Sequence, residues 1–197
     1  MRLFLAIFSW LVMSSLHVVM AEELLKAPFG REWGEAPTAL LEWAGKEKMD
    51  VIVELPAENP DLEIFRLQLP EGGLPGHSAN AIEARFFRGR LFEVTVNYLF
   101  KDKKADEVRR AFYNTKKSME DKLGKFSLNG RAENLDQGFL MQDESFHFEA
   151  DEGLFFLMTF NSVQDTLRKA EQARFSLVYH NGSIGPPTTT AKAEVAE

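Results

Sequence analysis

Cysteine is absent from this chain of 197 residues. That excludes disulfides, a thiol nucleophile, a thiolate metal centre and a lipid anchored on a cysteine after an N-terminal apolar segment. Histidine is scarce, with four in all. No HExxH, EF-hand, P-loop or GxGxxG pattern occurs, so the sequence names no catalytic residue, no metal ligand set and no cofactor. Positive charge is short as well: 23 basic against 30 acidic residues give a net charge of −7. Nucleic acid and anionic membrane are poor partners for such a chain. What the sequence does have is apolar bulk, 45% hydrophobic with 17 Phe, enough for one domain with a real core.

The first 21 residues differ from the rest. Arg2 carries the only formal charge, Leu3 to Val12 is almost wholly apolar, and Val19-Met20-Ala21 offers small residues where a signal peptidase reads. This predicts a secretory signal peptide, 1–21, cleaved before Glu22, and a periplasmic or secreted protein with no integral membrane span after cleavage. The competing reading is an uncleaved anchor, since the apolar stretch approaches the roughly 20 residues that span a bilayer. Residues 22–182 then form a single α+β domain. From Ser183 to Glu197 the chain is Gly, Pro, Thr and Ala with scattered charge, read as a disordered tail.

Within the domain, Asn80 to Gly124 carries the clearest pattern. Ile82, Ala84 and Phe86, then Phe92, Val94, Val96, Tyr98 and Phe100, alternate with polar residues as two half-buried strands. Parity predicts a three-residue loop, Phe87-Arg88-Gly89, pairing Ala84 with Phe92 and Ile82 with Val94. After Asp102 the period lengthens: Val108, Ala111, Phe112, Thr115, Met119 and Leu123 form one helical face, stopped by Gly124. Upstream, a short helix at Thr38 to Ala44 follows Pro37, with strands at Val51–Leu55 and Leu62–Leu69. Pro70 to Asn80, rich in Gly and Pro, is the most loop-like segment and a natural place for functional contacts.

Downstream, Phe146 and Phe148, a turn at Ala150–Gly153, and the two-faced apolar run Leu154 to Phe160 predict a second hairpin with a central strand covered on each side. Ser162 and Asp165 approximate a capping box, so Val163, Leu167 and Ala170 read as a second helix before a last strand at Phe175, Leu177 and Tyr179. This echo of the first unit reads either as a duplication or as two units alike without common descent. The fold class that follows is α+β: an antiparallel β-sheet of about five to seven strands, with helices packed on one face and two β-hairpin-helix units.

Among polar residues, Asp143, Ser145, His147 and Glu149 share one face of a regular strand, alternate residues about 6.5 to 7 Å apart. His147 beside Asp143 and Glu149, with His77 from the Pro70–Asn80 loop, is the one candidate binding set. Ligands of one metal must converge on a point, which a flat strand does not supply alone. Phe146 and Phe148 on the other face account for the alternation as core against solvent.

The Phe29-Gly30-Arg31-Glu32-Trp33-Gly34 start, the hairpin from Ala84 to Phe100 and the helix end at Lys122-Leu123-Gly124 together resemble small exported bacterial proteins of uncharacterised function. Their pattern is an F-G-x-x-W-G start, a hairpin with an F-x-x-G-x-L turn, and a helix ending in Gly. The resemblance covers about the first two-thirds of the mature chain. It implies an exported α+β domain and carries over no functional residue. The resulting expectation is a non-enzymatic binding or accessory module of the cell envelope, partnered by a protein or an envelope component. The alternatives are a metal-dependent hydrolase or a small-ligand-binding protein.

Overall fold

The structure, a computed structural model, describes residues 25–186. The predicted signal segment and all but the first residues of the predicted tail lie outside them. In chain order the elements are α1 (Pro37–Lys46), β1 (Asp50–Glu54), β2 (Leu62–Gln68), β3 (Ala81–Phe87), β4 (Arg90–Leu99), α2 (Ala105–Leu123), β5 (Ser127–Asp136), β6 (Phe139–Asp151), β7 (Leu154–Asp165) and β8 (Ala170–Asn181). The eight strands form one antiparallel sheet in the order β1-β2-β3-β4-β8-β7-β6-β5. Two four-stranded meanders are thus joined where β8 returns beside β4, and α2 is the connection between them. Among the described residues no helix is long and apolar enough to cross a membrane.

This corrects the expected fold class. The protein is sheet-dominated, not an α+β assembly of hairpin-helix units with helices forming a layer on one face. Among the described residues two helices accompany eight strands, more than the five to seven expected, and much of the buried face is closed by irregular chain. Leu25 and Ala27 of the N-terminal segment, and Leu74 and Ala79 of the 70–80 loop, are buried in the same cluster as Leu67, Ile82 and Phe86.

The expected second helix does not exist. Asn161 to Asp165 continue β7, paired with β6 on one side and β8 on the other. A strand with neighbours on both edges places its backbone N–H and C=O groups in ladders, and Ser162 is buried as the next residue on the core face after Phe160. A short apolar spacing compatible with a helix does not outweigh that pairing. The capping box expected of Ser162 and Asp165 does not form; Asp165 Oδ1 instead accepts from the Leu167 and Arg168 amides at 3.0 and 2.9 Å, in the turn to β8.

The β3–β4 hairpin corrects the loop length. Phe87 pairs with Arg90 across a two-residue turn, Arg88-Gly89, both residues having positive φ (51° and 68°). Parity is restored by a bulge, because Phe86 pairs with Leu91 but Arg85 with Glu93, which leaves Phe92 as the extra residue. Leu91 and Phe92 are consequently both buried, and Ala84 faces Val94 instead of Phe92.

One strand, β5, had no forecast at all. All ten of its residues are exposed, so it shows no alternation of apolar and polar side chains. It exists because β6 extends to Phe139 and offers an edge, and because Gln137-Gly138, with φ of 47° and 86°, makes a tight reversal.

The core lies on one side of the sheet. Phe112 of α2 sits over three strands, its ring 6.0 Å from Phe146, 5.8 Å from Phe160 and 5.8 Å from Phe175. The stripe predicted for α2 therefore does face the sheet, with Val108 and Phe112 fully buried. Its first turn is closed by the Glu107 carboxylate, which accepts from the Lys104 amide at 3.1 Å. Among the described residues no helix lies on the opposite sheet face.

Candidate functional site on the open sheet face

Register decides which side chains reach the open face. From β1 across to β6 they include Ile52, Arg66, Glu83, Arg85, Glu93, Asn97, Ser176, His180, Phe155, Asn161, His147 and Asp143. Neighbouring strands stand about 4.8 Å apart, so residues in register touch across the sheet as cross-strand pairs.

A chain of such pairs runs transverse to the strands. Arg66 bridges Glu54 at 3.0 Å and Glu83 at 2.9 Å; Arg85 bridges Glu83 at 2.8 Å and Glu93 at 3.2 Å. Glu93 then meets His180 Nδ1 at 2.8 Å, and the His180 ring stacks on Phe155 with centroids 4.4 Å apart and planes at 18°. The Phe155 ring lies 5.5 Å from that of His147. Seven strands are linked in this way. Burial alone would push the Glu83 carboxyl up, but hydrogen bonds from Arg66 and Arg85 hold it below the usual carboxylate range.

Beside this row the face is hollowed. A cleft of about 410 Å³ is lined by Gln68, Asn80, Ala81, Asn97, Tyr98, Leu99, Asn161, Arg174, Phe175 and Ser176. Pairing sets Asn97 opposite Ser176, and Asn161 opposite Arg174. A smaller cleft of about 180 Å³, lined among others by Asp50, Ile52, Arg66 and Glu83, shares Gln68, Ala81 and Asn97 with the first. The two form one groove from β1 to β7, about 24 Å across at the usual strand spacing.

The residues singled out from sequence divide between the two sides. Asp143, His147 and Glu149 lie on the open face, as the alternation of β6 requires. Asp143 accepts a hydrogen bond from the Asn161 amide at the rim of the larger cleft, and Glu149 accepts from the Gly153 amide at 3.4 Å. His77 is elsewhere. Its Nδ1 accepts from the Ala79 amide at 3.1 Å, and its ring packs against Phe29 and against Tyr98, whose own ring stacks on core Phe175. The four therefore do not meet. Among the described residues no group of three or more His, Asp or Glu is arranged to hold a metal ion.

Gln68, Asn97, Asn161, Arg174, Ser176 and His180 escaped sequence reading. They come from β2, β4, β7 and β8, and within each strand they show only as the polar half of an alternation. Nothing in one strand reports its lateral neighbours. The Pro70–Asn80 loop is also less free than its composition implies. Leu74 and Ala79 are buried, and Gly73 N donates to Asn80 O at 2.9 Å.

The fold and site define a single open antiparallel sheet, closed by core on one face and carrying a polar groove on the other. Against known proteins the chain matches no family model, no curated protein and no solved structure.

Proposed function

We propose that this protein is an exported, non-enzymatic binding module of the cell envelope that engages a protein or an envelope component through its open sheet face. One observation carries this reading: among the described residues the core closes one face of the sheet, while the other presents a groove whose larger, ligand-sized cleft is lined mainly by polar side chains. The apolar N-terminal segment with its Val19-Met20-Ala21 site supports export to the periplasm or beyond. The same cleft supports binding of a small polar ligand as the mode of engagement. Recognition is assigned to the sheet face, which carries the clefts, and the Pro70–Asn80 loop is anchored beside it by buried Leu74 and Ala79, with Asn80 on the cleft lining.

The test is native mass spectrometry of the protein isolated from its host's envelope fraction, alongside Asn97→Trp, which fills the cleft floor. The reading expects a stoichiometric bound component on the natural protein and its loss from Asn97→Trp with the fold retained. A component that survives Asn97→Trp but disappears when the exposed tip Gly76-His77-Ser78 is substituted, with Leu74, Ala79 and Asn80 kept, would move the site to the loop.

A further inference from the structure

The larger cleft is an unusual place in an acidic protein. Its lining holds one cation, Arg174, several amides and Ser176, and no carboxylate. Arg66 and Arg85, also on this face, are each held between two glutamates. Arg174 makes no ion pair among the described residues. The carboxylate on its side of the sheet, Asp143, lies one strand further on, beyond Asn161, and is already hydrogen-bonded by the Asn161 amide. Asp50 and Glu83 line the adjoining smaller cleft, and Glu83 is already bonded by Arg66 and Arg85.

A guanidinium presents a planar fork of N–H donors matched to the two oxygens of a carboxylate. Next to it, Asn97 and Ser176 face each other across the β4–β8 pair, and Gln68 stands further along the floor. Amide and hydroxyl side chains of this kind both donate and accept, so they suit a body rich in hydroxyls or amides. The cleft volume, about 410 Å³, fits a molecule of one or two sugar or amino-acid units.

We infer that the cleft binds a monocarboxylate carried on a small polar body, the carboxylate on Arg174 and the polar groups on Asn97, Ser176 and Gln68. This rests on the open face being the binding surface, and it adds the chemical class of what is bound there. Such a carboxylate has two sources, a sugar acid and the C-terminus of a short peptide.

The experiment is a titration of the protein, followed by backbone amide NMR, with glucuronate and with an acetylated dipeptide acid. Glucose and the corresponding dipeptide amide serve as neutral counterparts. The expected result is that one or both acids shift the Asn97 and Ser176 amides saturably, that the matched neutral compound binds about tenfold more weakly or not at all, and that Arg174→Gln removes the difference. Arg174→Lys retains charge without the fork and should recover only part of it. Which acid binds tells the two sources apart. Equal binding of acid and neutral counterpart, or an acid affinity unchanged in Arg174→Gln, would overturn the carboxylate assignment while leaving the cleft as a site. No saturable shift with any of the four compounds would overturn the inference outright. The binding-module reading would then still be decided separately by what the envelope-isolated protein carries.

Discussion

The Tyr113 hydroxyl donates to Glu144 Oε2 at 2.6 Å, tying the middle of α2 to β6. Glu144 is 4% exposed and also accepts from Arg131 on β5, so one carboxylate joins a helix, an inner strand and the edge strand. Burial pushes this carboxyl up. The Tyr113 and Arg131 hydrogen bonds pull it down further, and its pKa in the folded protein lies below the ordinary 4.5.

A carboxyl lowered by folding stabilises the fold above its unfolded pKa, and that contribution is lost as pH falls through the folded value. Tyr113→Phe is therefore expected to cost about 1 to 2 kcal/mol at neutral pH. The difference from the natural protein should shrink in acid, below the folded carboxyl's pKa. Urea midpoints taken across that range check this; a gap of constant size at every pH would show that the lost interaction is not with the ionised carboxylate.

Phe112 is the side chain on which the helix docks. Removing its ring leaves a void against Phe146, Phe160 and Phe175. Phe112→Ala should cost about 3 to 5 kcal/mol. Tyr98, stacked on the same Phe175, has its phenol pushed up to about 12 by burial. Chemical denaturation monitored by circular dichroism measures the first effect. A loss no larger than that of an exposed substitution would place α2 off the sheet.

The transverse row of charges contributes little to stability. Arg66 is half exposed, and its pairs with Glu54 and Glu83 remain in reach of water and salt. A double-mutant cycle on Arg66 and Glu83 should give a coupling of about 1 kcal/mol or less, reduced further at high ionic strength. A coupling several times larger and insensitive to salt would mean that these charges anchor the sheet.

Much of the sheet was legible in sequence, for one physical reason: a strand with one buried face writes its own alternation. Ile82-Ala84-Phe86 and Val94-Val96-Tyr98 did so; the two-faced run Leu154 to Phe160 did mark an inner strand, but among the described residues the cover it implied on both sides is absent, since Phe155, Leu157 and Thr159 lie on the open face. The helix stripe at Val108 and Phe112 was equally plain. What failed to show was whatever depends on a neighbour. Ser162 to Asp165 look helical until β6 and β8 flank them, and Ser127 to Asp136 carry no pattern because neither face is buried. The bulge at Phe92 reversed a parity argument that was sound for an unbulged ladder. The site followed the same rule. Asp143, His147 and Glu149 were found as one strand's polar face, but Arg174, Asn97 and Ser176 become a cleft only through lateral pairing.

Hydrogen exchange separates the elements that sequence missed. Amides from Leu154 through Asp165 have ladder partners on both sides, and should exchange slowly as a continuous block. In β5 only the amides directed at β6 are paired, so protection should alternate along Ser127–Asp136. Fast exchange beginning at Asn161 would remove the extension of β7, and uniform protection along β5 would reveal a further strand beside it.

The central claim is that the open face of the sheet is the surface that binds. Site-specific photo-crosslinking in the native host tests it most directly, with the photoreactive residue placed at Asn161 on the cleft rim or, as a control, at Leu41, an exposed position on α1. The account predicts a discrete crosslinked species from Asn161, absent from Leu41 and suppressed by Arg174→Gln. The same species from Leu41 with none from Asn161 would contradict it.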